Sequence, residues 1–195
     1  EHVKDKQPGY HKFDKKQWIA ECDLEEIAAV VAAYNCDNVI LTGGEPMLQQ
    51  VQLYELMQRL RRQNANYRFE VETNGTILPN TFFEQAIDQY NVSPKLENSN
   101  NTRKLREKPA VLRFFSASPK ANFKFVIAGK QDLQEVLELQ SQYAIPKEKI
   151  WLMPEGTSAS ALSKRRKWLV EICKENGFRY SDRLHVQIWG SKKGV

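Results

Sequence analysis

At 195 residues, 41% hydrophobic and 27% charged, the chain has the size and balance of one globular domain, which excludes a disordered or fibrous protein. A formal charge of +5 admits an anionic ligand or nucleic acid without identifying either. No apolar run approaches the roughly 20 residues needed to cross a bilayer, and the opening EHVKDKQPGYHKFDKK has no apolar leader core, so the expected setting is the cytoplasm without membrane contact.

Taken in chain order, helical and extended patterns alternate. Asp23 is placed to cap a helix that carries Leu24, Ile27, Ala28 and Val31, with Glu26 as capping-box partner. Asn38 to Thr42 reads as a strand ending at Gly43-Gly44, and Met47 to Arg62 reads as a helix. Arg68 to Thr73 reads as a strand closed by Asn74-Gly75, Pro79 to Tyr90 as a helix, and Val92-Ser93 as a short strand stopped by Pro94. Leu96 to Pro109, rich in Asn and charge, reads as a mobile surface loop, with a short helix from Pro109 to Ser116. Asn122 to Ile127 and Ile150 to Met153 are strands flanking a helix over Asp132 to Tyr143. A helix from Ser160 to Asn176 stops at Gly177, and Leu184 to Trp189, with apolar residues at every second position, reads as the last strand. Strands alternating with helices imply an α/β fold with a mostly parallel sheet, either open or curled as part of a barrel.

In either architecture ligands gather at the carboxyl ends of the strands. The polar clusters fall there: Thr42-Gly43-Gly44-Glu45-Pro46, Glu72-Thr73-Asn74-Gly75, Ser93-Pro94-Lys95 and Met153-Pro154-Glu155-Gly156. Two adjacent glycines let a ligand approach the backbone, and Glu45 adds a carboxylate suited to a cationic amine; a tight turn is the plainer account of the same residues. Glu72 shares a strand face with Glu70 and needs a partner, which Lys95 or Lys124 would supply. Cys22, Cys36 and Cys173 are an odd count at long spacings, which matches neither a disulfide framework nor a metal site. The run Lys164-Arg165-Arg166-Lys167 sits in a helical pattern and reads as a solvated face rather than a nucleic-acid contact.

Leu41-Thr42-Gly43-Gly44-Glu45-Pro46 resembles the strand-terminal motif of radical S-adenosylmethionine (SAM) enzymes. The ordered set Val71 to Thr76, Val92-Ser93-Pro94-Lys95, Met153 to Gly156 and Leu184 to Gly190 through Lys192-Lys193-Gly194-Val195 is similar to the 7-carboxy-7-deazaguanine synthase family of the queuosine pathway. The resemblance covers residues 39 to 195 and implies a partial, TIM-like radical SAM barrel in a single domain spanning residues 1 to 195. It implies a lyase that converts 6-carboxy-5,6,7,8-tetrahydropterin to 7-carboxy-7-deazaguanine with loss of ammonia, through a 5′-deoxyadenosyl radical. The implied cofactors are SAM, a [4Fe-4S] cluster and Mg²⁺, with an external electron donor. By the same resemblance Gly43, Gly44, Glu45, Ser93, Pro94, Lys95, Met153, Pro154, Glu155 and Gly156 hold SAM. Thr42 touches the pterin, and Val195 reaches it through its terminal carboxylate. Glu72 and Lys124 are further candidates.

The family's Cys-x3-Cys-x2-Cys motif is absent from this sequence, as is the following Thr that helps hold Mg²⁺. The expectation is a core domain without its first strand and cluster loop, roughly 50 residues, on the scale of one βα unit and its loop. An incomplete barrel leaves sheet edges, so a homodimer is expected. The rival reading is a relative without a cluster that binds SAM or the pterin and performs no catalysis.

Overall fold

The computed structural model describes residues 20 to 190 and residue 192. Among the described residues six strands form one sheet in the order β1-β2-β3-β4-β5-β6, and every neighbouring pair is parallel. They are β1 (Asn38–Leu41), β2 (Arg68–Thr73), β3 (Gln89–Val92), β4 (Ala121–Ile127), β5 (Ile150–Pro154) and β6 (Arg179–Tyr180). Sequential order decides the architecture that periodicity leaves open. When each right-handed crossover moves one strand in the same direction, all connecting helices fall on one face of the sheet. The helices among the described residues are α1 (Leu24–Ala32), α2 (Gln50–Gln63), α3 (Thr81–Ala86), α4 (Arg103–Arg106), α5 (Pro109–Ala117), α6 (Gln131–Tyr143), α7 (Ala159–Asn176) and α8 (Leu184–Trp189). Among the described residues the sheet is not closed, because β1 and β6 do not pair. This is the partial barrel expected from the sequence.

The two faces of the sheet differ as a consequence. Toward the helices, Phe69 and Val71 of β2, Tyr90 and Val92 of β3, Phe123 and Phe125 of β4 and Ile150 and Leu152 of β5 are fully buried and form the core. The alternate residues, Glu70, Glu72, Gln89, Asn91, Asn122 and Lys124, are half-buried and line a hollow on the opposite, concave face. Strand periodicity of two separates the sets, so one strand contributes both to the core and to a polar lumen.

The local chemistry at element ends follows the sequence in several places. Asp23 caps α1, although its carboxylate takes the Glu25 N–H rather than that of Glu26. Gly177 closes α7 in the left-handed conformation, with φ at 70°. Between residues 46 and 63 a 3-10 turn over Pro46–Gln49 precedes α2.

Three expectations are corrected. The helix expected over Pro79 to Tyr90 is only α3, capped by Asn80, and β3 begins at Gln89 rather than Val92. Asp88 ends the helix by turning to β2: its carboxylate accepts the Phe69 N–H at 2.8 Å and an Arg61 N–H at 2.9 Å, while its own N–H reaches Phe69 O. Leu96 to Pro109 is not a bare surface loop. Leu96 is buried, and the buried Arg106 donates to the carbonyls of Lys95 and Asn101 and pairs with Glu135 of α6. Leu184 to Trp189 is helix α8, and the sixth strand is Arg179–Tyr180, which pairs with Trp151 and Leu152. Alternation there is accidental, since Val186 is 4% exposed whereas Leu184 and Ile188 are 63% and 56% exposed. The basic run in α7 is also partly engaged, with Arg165 donating to Ala128 O and Arg166 paired with Asp182.

Candidate functional site

A cavity of about 340 Å³ opens at the carboxyl ends of the strands. Its walls come from successive strand ends: Thr42, Gly43 and Gly44 after β1, Thr73 and Asn74 after β2, Ser93 and Lys95 after β3, and Met153 from β5. Glu72, Lys124 and Val126 rise into it from the concave face, and Arg183 closes the side beyond β6. A second hollow of about 250 Å³ continues down that face past Glu70, Asn91, Asn122 and Trp151, and shares Glu72 and Lys124 with the first. Two larger depressions lie elsewhere. One of about 370 Å³ sits at the amino ends of the strands between Ala32 and Asp37, and one of about 420 Å³ runs along α2 alone. Neither is reached by the βα loops that position chemistry in this architecture.

The glycine pair presents bare backbone to the cavity. A Cβ added at Gly43 or at Gly44 would meet nothing within 4 Å. That is the geometry needed for a ligand lying against main-chain N–H and C=O groups. Glu45, next in sequence, faces a different task. One carboxylate oxygen accepts the Met47 N–H at 3.1 Å and the Thr73 hydroxyl at 2.8 Å, and the other accepts the Asn74 N–H at 2.8 Å. The carboxylate thus staples the loop after β1 to the turn after β2 and sets where the glycines lie. Asn74 continues this turn by accepting the Thr76 N–H at 3.0 Å.

Lys124 Nζ donates to both Glu72 oxygens, at 2.9 and 2.8 Å, so the partner that Glu72 needs is Lys124 and not Lys95. Both side chains are about a quarter exposed. Lys124→Met is expected to cost about 1–2 kcal/mol, below the roughly 3–5 kcal/mol of a fully buried broken pair because water still reaches Glu72. Glu72→Gln placed in the Lys124→Met background should return at least half of that loss in urea unfolding, since it removes the orphaned charge. A single variant as stable as the wild type would show that solvent alone supports Glu72.

Lys95 is exposed to the open cavity that it lines, and the desolvation imposed by the walls holds its ammonium below the ordinary lysine range; the Lys124 charge adds to this, and Glu45 and Glu72 oppose it. Arg183 is anchored by donating from Nη1 to Gly156 O at 3.0 Å.

Of the residues implied by resemblance, the cavity brings together Thr42, Gly43, Gly44, Ser93, Lys95 and Met153, with the further candidates Glu72 and Lys124. Glu45, Pro94, Pro154, Glu155 and Gly156 stand behind the wall. Pro94 and Pro154 are buried, Glu155 pairs with Arg165 at 3.4 Å, and Gly156 supports Arg183. Val195 lies outside the described residues. Sequence reasoning misses Arg183 and Val126. Arg183 follows β6, a two-residue strand that the sequence reading does not place, and it stands just before the stretch read there as the last strand, so strand-end reasoning passes over it.

The cysteines do not fit an iron–sulfur cluster. Among the described residues no group of three or more His, Cys, Asp or Glu side chains converges on a metal position. Cys22 and Cys36 are exposed, and Cys173 is buried in α7 with its thiol pushed up to about 11 by burial. At pH 8 roughly a thousandth of Cys173 would be thiolate. Native alkylation should therefore label Cys22 and Cys36 promptly and Cys173 only after denaturation. Prompt labelling of all three would contradict the packing of α7 on the sheet.

Comparison with known proteins places the chain among relatives of one kind. A family model described as "4Fe-4S single cluster domain" matches residues 6–107, a span holding only Cys22 and Cys36 of the three cysteines. The chain is 35% identical over 176 residues to the 7-carboxy-7-deazaguanine synthase of Pyrobaculum aerophilum, covering 89% of this chain and 75% of that protein. It is 33% identical over 192 residues to the synthase of the same name from Halobacterium salinarum, covering 87% of this chain and 72% of the relative. Streptococcus suis SuiB matches in structure with a TM-score of 0.50 at 11% identity, over 75% of this chain and 39% of SuiB, which bears on the fold alone. No helix among the described residues is long and apolar enough to cross a membrane.

Proposed function

This chain belongs to the 7-carboxy-7-deazaguanine synthase family, and from that premise we propose that its strand-end cavity is the SAM and substrate half of a radical SAM lyase site. The reaction is conversion of 6-carboxy-5,6,7,8-tetrahydropterin to 7-carboxy-7-deazaguanine with loss of ammonia. The observation that carries the reading is the bare backbone of Gly43 and Gly44 facing a cavity that Lys95, Lys124 and Arg183 make cationic. SAM, bound there and cleaved reductively, is the source of the hydrogen-abstracting species. The chain's own residues bind and orient. Gly43 and Gly44 offer main-chain groups, Ser93 and Met153 flank them, and Glu45 holds the glycine loop in register with β2. Thr42, beside the glycines, faces the pterin. Pro94, Pro154, Glu155 and Gly156 act from behind by setting the backbone course of these turns.

The iron–sulfur cluster finds no ligands among the described residues, so these residues account for binding and orientation and not for electron transfer. An external electron donor, Mg²⁺ and a homodimer that covers the sheet edges belong to the same reading. The lack of converging thiolates favours a second one, a relative that binds SAM or the pterin without catalysis. Anaerobic purification followed by iron and sulfide analysis, with calorimetric titration of SAM, separates the two. A stoichiometric cluster with SAM cleavage supports the lyase, tight binding without iron supports the binding protein, and no affinity for SAM contradicts both.

A further inference from the structure

Three cationic side chains line the cavity, Lys95, Lys124 and Arg183, against one carboxylate, Glu72. Glu72 is already committed to Lys124. The nearby acids are taken as well: Asp182 pairs with Arg166 at 3.0 Å and Glu155 with Arg165 at 3.4 Å. Glu45 acts on Lys95 through its charge but spends its oxygens on Met47, Thr73 and Asn74, so among the described residues neither Lys95 nor Arg183 forms an ion pair and the cavity is net cationic.

The guanidinium of Arg183 is oriented for one use of that charge. Its Nη1 donates to Gly156 O, which fixes the plane, while Nε is buried with no hydrogen-bond partner and Nη2 makes none among the described residues. Protein encloses Nε, so Nη2 is the guanidinium donor open to a ligand. A charge-assisted bond from an arginine N–H to a carboxylate is the strong kind of hydrogen bond. We propose that Arg183 is a specificity-determining residue that reads a ligand carboxylate through Nη2, with the Lys95 ammonium completing the anion site. The burial that holds Lys95 below the usual lysine range is the strain that such an anion relieves. The inference rests on the proposed function only for the ligand's identity. Two acids share the chemistry, the methionyl carboxylate of SAM and the carboxylate of a 6-carboxypterin.

The test is calorimetric titration of the full chain with four ligands in two pairs: SAM and decarboxylated SAM, 6-carboxypterin and pterin. In the wild type at least one acid should bind about tenfold or more tightly than its carboxylate-free counterpart, a difference of about 1.4 kcal/mol. Arg183→Met should erase that ratio and leave affinity for the counterpart within about twofold. Arg183→Lys, which keeps the charge and loses the planar guanidinium, should restore part of it. The pair that collapses identifies which carboxylate is read. If all four ligands bind with ratios near one, Arg183 has no such role although the ligand reading stands. A loss in Arg183→Met that is equal for acid and counterpart overturns the proposal as a structural effect. Failure of all four to bind removes the ligand reading and the anion site together.

Discussion

Gly44→Val is expected to lower affinity for SAM by about tenfold or more while leaving the urea midpoint nearly unchanged. The reasoning is geometric. The space where its Cβ would sit holds no atom within 4 Å, and its φ lies outside the left-handed range, so the added Cβ meets no protein atom and no left-handed backbone strain. Those new methyl groups occupy the volume a ligand needs to lie against the main chain. Gly43 is a less clean choice, because its φ of 130° would strain any side chain there and mix stability with binding. Titration and urea unfolding of the same preparation separate the two effects. Undiminished SAM affinity in Gly44→Val would falsify the claim that the ligand approaches this backbone.

Gly75→Ala should do the opposite, costing about 3 kcal/mol of stability. Gly75 has φ at 73°, where an L side chain costs roughly 1–2 kcal/mol. Its Cβ would also stand 2.8 Å from Cγ1 of Val92, a fully buried residue of β3 with no room to retreat. Overpacking of this kind costs about 1–3 kcal/mol. In the Val92→Ala background the clash disappears, and Gly75→Ala should then cost only about 1–2 kcal/mol, the backbone part alone. Urea midpoints measured across the four proteins, with slopes compared to confirm two-state unfolding, provide the readout. A full cost that persists without Val92 would place the effect in the backbone rather than the packing.

These two glycines also show what the sequence makes legible. The Asn74-Gly75 turn is readable because strand alternation over Arg68 to Thr73 ends there, and the structure returns that strand with the same limits. Gly43 and Gly44 are readable as cavity-facing because they follow an apolar strand, and ligand chemistry in α/β sheets collects at that end. What stays hidden is tertiary. Helix α8 carries Leu184, Val186 and Ile188, and over six residues this alternation cannot be told from a helix whose buried face is Val186 alone. Strand β3 is masked because Gln89 and Asn91 are polar; they face the lumen, a surface that exists only once all helices fall on the other side. Glu45 has the same character. Its motif marks it as a ligand contact, yet its oxygens are spent on Met47, Thr73 and Asn74, residues brought together only by the pairing of β1 with β2. Arg183 is the reverse case, a site residue with no motif-like signal, placed by a single bond to Gly156 O.

Amide hydrogen exchange of the chain with and without SAM tests the central claim most directly, because it reports where the ligand lies as well as whether it binds. The expected result is new protection at the loop carrying Gly43 and Gly44, at Ser93 to Lys95 and around Met153, with the amino-terminal rim between Ala32 and Asp37 unchanged. Protection confined to that opposite rim, or none at saturating SAM, would contradict a strand-end SAM site.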